Sequence, residues 1–307
     1  MISNFLSRTK PINYAFLFGS VFLFFWLFIV LEKGFDLLAV NLISTALGIL
    51  ALIAGIYLLG QTSKENKLTN ANSFAMFFFV ALMITYPRVF TRTDLIYCNL
   101  LLIASSYRVL AIKNGKGIKE KIFEASLCVL AASFFYEWAL LFFIPIYATM
   151  FVFDVNKIRL WLMPLAAFVS IALITFTVLL LVNNTAFFWN HFQYHIHLEA
   201  FSIPNYGVFL YLSLSLVLAV FVFWKLGYRR LGRTLSLRII LIYLFIAILA
   251  ALFTGSSLKE EIMLTFFPVA IFLGNFVETI RKDRFKELFL TLVIALPLIS
   301  FIYTQLQ

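Results

Sequence analysis

The stretch NYAFLFGSVFLFFWLFIVL, residues 13–31, contains no charged side chain. About 20 apolar residues in a helix cross the ~30 Å hydrocarbon core of a bilayer, so this stretch predicts a membrane-spanning helix. The remainder of the 307-residue chain is similar, with 63% apolar residues, 12% charged residues and a mean hydropathy of +1.01. Because soluble domains carry about 25% charged residues, the composition predicts a membrane protein.

Ten further apolar segments follow along the chain. They are 37–60, 73–87, 95–112, 122–136, 138–153, 160–182, 205–224, 237–253, 263–279 and 287–304. We therefore predict an all-α, polytopic protein with about 11 transmembrane helices, forming a single domain over residues 1–307. Segments 122–136 and 138–153 are short, so this region is predicted to form either two short spans or a re-entrant hairpin that turns at Tyr136, Glu137 and Trp138.

The basic residues predict the orientation of these spans. Threading the segments back and forth leaves four of the 24 lysines and arginines outside, namely Lys33, Arg88, Arg92 and Lys259, and therefore 24 − 4 = 20 inside. By the positive-inside rule, the N-terminus is predicted to be cytoplasmic and the C-terminus periplasmic. The topology also explains the net charge of +10, and basic residues scattered over short loops do not indicate a nucleic-acid partner.

Two segments are predicted to lie at the membrane surface. Residues 1–12 form an interfacial N-terminal segment, and residues 183–204 form a periplasmic amphipathic loop that contains all three histidines. His191, His195 and Glu199 recur every four residues, a spacing that can bind a metal, but the aromatic residues around them favour a lipid-docking helix or a lid. No nucleotide-binding glycine pattern is present, and we predict no metal and no other cofactor.

The outer face carries the residues that could support chemistry. Arg88 and Arg92 lie beside Asp94 in PRVFTRTD, residues 87–94. Arginines bind phosphate through paired hydrogen bonds, and a neighbouring carboxylate could serve as a general base. The alternative is a solvated turn, in which an Arg–Asp pair and Asp94 as N-cap begin the next helix.

Other outer charges are weaker candidates. Glu137 is flanked by aromatic residues, which would raise its pKa and suit an acid or base, although it could also be a turn residue that faces water. The remaining outer charges are Glu32, Asp36, Glu199, Lys259, Glu260 and Glu261.

Three strings carry a first resemblance, namely MISNFLSRTKPIN at 1–13, NKLTNANSFA at 66–75 and KIFEASLCVLAASFFY at 121–136. On these the chain resembles an uncharacterised family of polytopic membrane proteins from Bacteroidota, especially flavobacteria. That resemblance implies a multi-pass protein of the bacterial inner membrane and no particular activity.

A second resemblance covers residues 88–153. The turn PRVFTRTD, the apolar helix, the basic inner loop and the two short helices are similar to the C-type (GT-C) fold of glycosyltransferases that use polyprenyl-phosphate sugars. The resemblance implies that Asp94 is a catalytic carboxylate, that Asp36 or Glu32 supplies the other, and that Arg88 and Arg92 bind the lipid phosphate. Of the two alternatives we favour Asp36, and we add Glu137 and Lys259 as further candidates for binding the lipid phosphate. The expected function is the handling of a lipid-linked substrate in a periplasm-facing cavity. The alternatives are a non-enzymatic subunit of an envelope complex and a transporter or flippase of an amphiphile.

Overall fold

The computed structural model describes residues 2–33, 42–155, 157–183, 186, 191, 206–226, 231–253 and 260–306. Over these residues the protein is helical and contains no strand, which confirms the predicted all-α class. The helices are α1 Ile2–Leu6, α2 Pro11–Lys33, α3 Leu42–Glu65, α4 Phe74–Thr85, α5 Thr93–Leu110, α6 Ile118–Ser133, α7 Phe143–Val152, α8 Ile158–Trp161, α9 Met163–Leu181, α10 Tyr206–Leu226, α11 Leu231–Phe253, α12 Met263–Thr279 and α13 Asp283–Leu306. Short 3-10 helices cover Pro87–Thr91, Ala111–Asn114 and Glu137–Phe142.

Within the described residues, each predicted apolar segment overlaps one of these helices. Among the described residues, six helical stretches are long and apolar enough to cross a membrane, and they lie in α2, α3, α5, α8–α9, α10 and α11. Three further apolar helices are shorter, namely Phe74–Thr85, Glu137–Val152 and Met263–Thr279. The helices are consistent with a membrane protein, whereas the number of 11 spans stays a prediction.

Two of the short helices, α4 and α12, form the centre of the protein. Nearly all of their side chains are buried, including Phe78 and Met83 on α4 and Phe266 and Phe272 on α12. A helix that is apolar around its whole circumference is stable when other helices surround it. Pro268 lies inside α12 and has no N–H to donate to the preceding turn.

The peripheral helices are packed on one side only. α9 buries little beyond Pro164 and Ala167, and large side chains such as Leu173 and Leu181 are exposed. α6 packs closely on α5, and its buried residues include the small side chains of Ala125 and Ala132. Small residues let two membrane helices approach closely.

The predicted interruption between residues 122 and 153 is present. α6 ends at Ser133, Tyr136 adopts an extended backbone conformation, and the 3-10 helix Glu137–Phe142 leads into α7. The two short spans and the re-entrant hairpin both remain open predictions, because either is compatible with this break.

Contacts between loops sort the helix ends into two groups. The Asn13 side chain donates to Ser73 Oγ at 3.1 Å, Lys113 Nζ donates to the Asn66 carbonyl at 2.6 Å, and the Ile2 amide donates to Glu287 at 3.1 Å. We call this the inner end, after the predicted topology. The opposite end, where the turn Pro87–Thr91 lies, is the outer end.

Candidate functional site

A buried apolar anchor fixes the turn that follows α4. Phe90 is fully buried, and its ring lies 5.4 Å from that of Phe25 and 6.2 Å from that of Phe28 on α2. Val89 beside it is also buried, whereas Arg88 is exposed. The alternation of apolar and basic residues in this turn therefore holds its backbone against α2 and presents the arginine outward.

Arg92 forms ion pairs with three carboxylates at the outer end. Its Nη2 lies 2.8 Å from Asp94 Oδ2, and its Nε donates to Asp94 Oδ1 at 3.1 Å. Its Nη1 lies 3.8 Å from Glu260 Oε2 and 3.6 Å from Glu261 Oε1, both just before α12. Arginine suits this role because its planar fork meets carboxylates with paired hydrogen bonds. We call these four residues the Arg92 cluster.

The Arg92 cluster is negatively charged overall, since one arginine meets three carboxylates. The hydrogen bond that Arg92 donates to Asp94 raises the pKa of Arg92, and partial burial opposes this rise, so the guanidinium remains charged. The Glu261 side chain is 1% exposed, against 19% for Glu260 and 40% for Asp94. The cluster thus joins a buried carboxylate to an accessible one through a single cation.

The charged turn lies deeper in the helix bundle than the outer ends of its two neighbouring helices, α2 and α3. Phe90 contacts α2 at Phe25 and Phe28, and α2 continues to Lys33, which is about 8 to 12 Å further at 1.5 Å per residue. On α3, a side chain at Gly48 would meet Thr93 at 3.4 Å, and Gly48 lies about 9 Å along the helix from Leu42. α4 is short, with 12 residues, and its early end is the reason for this depth.

Aromatic side chains pack between the turn after α4 and helix α10. The rings of Tyr86 and Tyr211 lie 5.5 Å apart, and the Tyr211 hydroxyl pairs with Thr265 Oγ1 at 2.8 Å. Tyr86 is also 5.9 Å from the ring of Phe266 on α12. These contacts tie the turn after α4 to α10 and α12.

An apolar groove of about 130 Å³ runs between α2, α4 and α13. Phe16, Ser20 and Phe24 line it on α2, and Phe77 and Ile84 line it on α4. The groove ends beside Ile84, one residue before the end of α4 and four before Arg88. Arg88 does not line the groove, but the turn that carries it begins three residues after Ile84.

The predicted site residues fall into three groups. The structure brings Arg92 and Asp94 together as the predicted pair, and Arg88 lies on the same turn. Asp36 and Lys259 lie outside the described residues. Glu137 is half-buried at the start of a 3-10 helix between α6 and α7, next to Tyr136, whose hydroxyl donates to the Ala250 carbonyl at 2.9 Å.

One expectation for Asp94 is wrong. The N-cap of α5 is Arg92, Thr93 is the first helical residue, and Asp94 makes no capping hydrogen bond. Asp94 lies two residues after the N-cap, which is too far into the helix for it to act as the cap. The nearby guanidinium offers its carboxylate a stronger, charged partner.

Sequence reasoning did not place Glu260 and Glu261 in the site. The available signal was their position among the few charges of the outer face, but nothing in the spacing joins residue 92 to residue 261. Of the three residues with metal-binding spacing, His191 hydrogen-bonds the Ser133 carbonyl at 2.9 Å, while His195 and Glu199 lie outside the described residues. Within the described residues no group of three or more metal-ligating side chains is present.

No protein-family model, curated protein or solved structure matches this chain. The function is therefore argued from the geometry of the described residues.

Proposed function

We propose that this is a multi-pass protein of the bacterial inner membrane that binds a phosphorylated amphiphile at its outer end. The head group would bind Arg88 and would compete with Asp94 for Arg92, and part of the lipid tail would occupy the groove between α2, α4 and α13. Lipids such as polyprenyl-phosphate sugars have this combination of a charged head and a long apolar tail.

The observation that carries this proposal is the depth of the charged turn. Charged side chains below the ends of membrane helices are costly, and they usually mark a substrate or ion pathway. Because the turn lies about 8 to 12 Å below the end of α2, a lipid phosphate could meet Arg88 while its tail stays in the hydrocarbon.

The groove supplies the second half of the binding site. Its lining extends from Phe16 to Phe24 on α2, a length of about 12 Å, which is less than half of the ~30 Å hydrocarbon thickness. The groove would therefore hold only the part of the tail next to the head group, so recognition would depend on the phosphate and the first segment of the chain.

Within this proposal, Asp94 is the candidate general base, because its carboxylate is 40% exposed and Arg92 orients it. A non-enzymatic lipid-binding subunit is the second candidate. It is favoured by the three carboxylates around Arg92, because a phosphate would have to compete with Asp94 for the guanidinium.

Lipid binding by the purified protein in zwitterionic nanodiscs tests the proposal, with undecaprenyl phosphate as the probe. Loss of one charge-assisted contact costs about 1.5–3 kcal/mol, so Arg88→Gln should weaken binding roughly ten- to a hundredfold. Arg108→Gln is the matched control, because Arg108 is a similarly exposed arginine, paired with Glu124, on the last turn of α5.

Two further variants test whether the groove binds the lipid tail and whether Asp94 is needed for turnover rather than for binding. Ser20→Phe places a ring in the groove and should also weaken binding. Asp94→Asn should spare binding and abolish complementation of a deletion strain if Asp94 is the base, because the amide cannot accept a proton. Wild-type affinity in both Arg88→Gln and Ser20→Phe would rule out the site.

A further inference from the structure

A second charged network lies at the inner end, far from the Arg92 cluster. Residues 66–73 connect α3 to α4, and we call them the strap. The Arg233 side chain, at the start of α11, donates to the Leu68 carbonyl of the strap at 3.0 Å and to Asn275 Oδ1 of α12 at 2.6 Å. One guanidinium thus joins the strap to both helices.

Glu278 near the end of α12 completes this network. Its Oε2 lies 2.6 Å from Arg233 Nη2, and its Oε1 accepts hydrogen bonds from the Asn70 amide at 2.7 Å and Asn72 Nδ2 at 2.6 Å. The ion pair is buried, with 7% and 9% of the two side chains exposed. A buried pair is expensive to desolvate, but removal of one partner leaves an uncompensated buried charge, so the two residues hold the strap jointly.

Several buried polar atoms in and beside the strap lack a hydrogen-bond partner within the part of the chain that the structure describes. Four buried polar atoms find no hydrogen-bond partner among the described residues, namely Asn13 Oδ1, Ser63 Oγ, Asn66 Nδ2 and Thr69 Oγ1. Movement of the strap away from the helices would expose these atoms to bulk water, and the ion pair opposes that movement.

The backbone of the strap carries a further cost. Lys67 adopts a φ of +52°, a left-handed conformation that is unfavourable for residues with a Cβ atom. The strap also packs tightly on α12, because a side chain at Gly274 would meet Thr69 Cγ2 and the Ala75 nitrogen, both at 3.3 Å. The closed position therefore depends on a glycine at 274 and on the network above it.

We propose that the strap is a latched gate at the inner end, which opens when the Arg233–Glu278 pair breaks. Opening would admit water to the buried polar atoms beneath it. The gate is independent of the proposed lipid function, since no strap residue belongs to the outer site. The same helix, α12, follows Glu261 of the outer cluster and carries Glu278 near its inner end, with Pro268 between them.

Cysteine accessibility in the purified full-length protein tests this gate. Thr69 is 5% exposed, so Thr69→Cys, made after Cys98→Ala and Cys128→Ala, should react slowly with a water-soluble maleimide. Glu278→Gln places an amide donor against Arg233 and should raise the reaction rate at least about tenfold, as expected for a local opening equilibrium freed from a buried charge pair.

Glu124→Gln is the control, because it removes the charge from the exposed Arg108–Glu124 pair, whose side chains are 44% and 43% exposed. It should leave the rate unchanged, and an equal rise in this control would overturn the proposal by showing general loosening.

Asn72→Ala is the second variant, which keeps both charges and removes the hydrogen bond from Asn72 Nδ2 to Glu278, together with the one that Asn72 Oδ1 accepts from the Phe74 amide at 3.2 Å. It should raise the rate several-fold, and it decides the matter if Glu278→Gln fails to fold. A wild-type rate in Asn72→Ala, together with a wild-type rate or a loss of folding in Glu278→Gln, would overturn the gate.

Discussion

The two neighbouring glutamates of the outer cluster should couple to Arg92 with different strengths. Their distances to Arg92 Nη1 are similar, at 3.6 Å for Glu261 and 3.8 Å for Glu260. Coulomb's law with an effective dielectric constant of about 20 gives about 4.6 and 4.4 kcal/mol for these distances, so distance does not distinguish them. Burial does, since Glu261 is 1% exposed and Glu260 is 19% exposed.

Water screening should therefore reduce the Glu260 coupling to below about 1 kcal/mol. The Glu261 coupling should be at least about 2 kcal/mol, because burial excludes the screening water and close, poorly screened charge pairs couple by about 1.5–7 kcal/mol in such cycles. The assay is a pair of double-mutant cycles, with Arg92→Gln against Glu261→Gln and against Glu260→Gln, on the unfolding free energy of the purified protein in detergent. Other contacts of each glutamate cancel in the cycle. Equal couplings, or a larger one for Glu260, would refute the argument from burial.

Three other outcomes are expected. Gly115 has a φ of +70°, so Gly115→Ala should destabilise the protein by about 1 kcal/mol, whereas Gly232→Ala, with open space around it, should not, as thermal unfolding will show. Tyr136→Phe loses a buried hydrogen bond of 2.9 Å to α11 and should cost about 1 kcal/mol in the same assay, while the exposed Tyr147→Phe should be neutral. A topology reporter fused after Gln307 should read periplasmic, and a cytoplasmic reading would contradict the charge-based orientation.

The helical architecture was predictable because the apolar segments are long and clearly bounded by charged or polar residues. The same pattern located the break near Glu137, where a charge interrupts an otherwise apolar stretch. The pairing of Arg92 with Asp94 was also accessible, since two residues of separation keep their side chains within reach of each other.

Long-range charge pairs were not predictable from this sequence. In the sequence, Arg233 served only as one of the basic residues that predict the membrane orientation. In the structure its side chain is buried against Glu278, 45 positions away. Glu261 likewise reaches Arg92 only because α12 and α5 pack together. Such pairs depend on helix neighbours, and hydropathy carries no information about which apolar helix packs beside which.

The shortness of α4 has an electrical consequence. Its 12 residues span about 18 Å, and Ser73 before it lies beside Asn13 at the start of α2, so the missing length is all at the outer end. In the proposed topology, water at the exposed Arg88 would reduce the insulating layer there from about 30 Å to about 18 Å. The transmembrane voltage would then drop over a shorter distance, which would strengthen the local electric field about 1.7-fold. A charged group held at Arg88 would sense part of the membrane potential, worth up to about 2.3 kcal/mol per charge for each 100 mV.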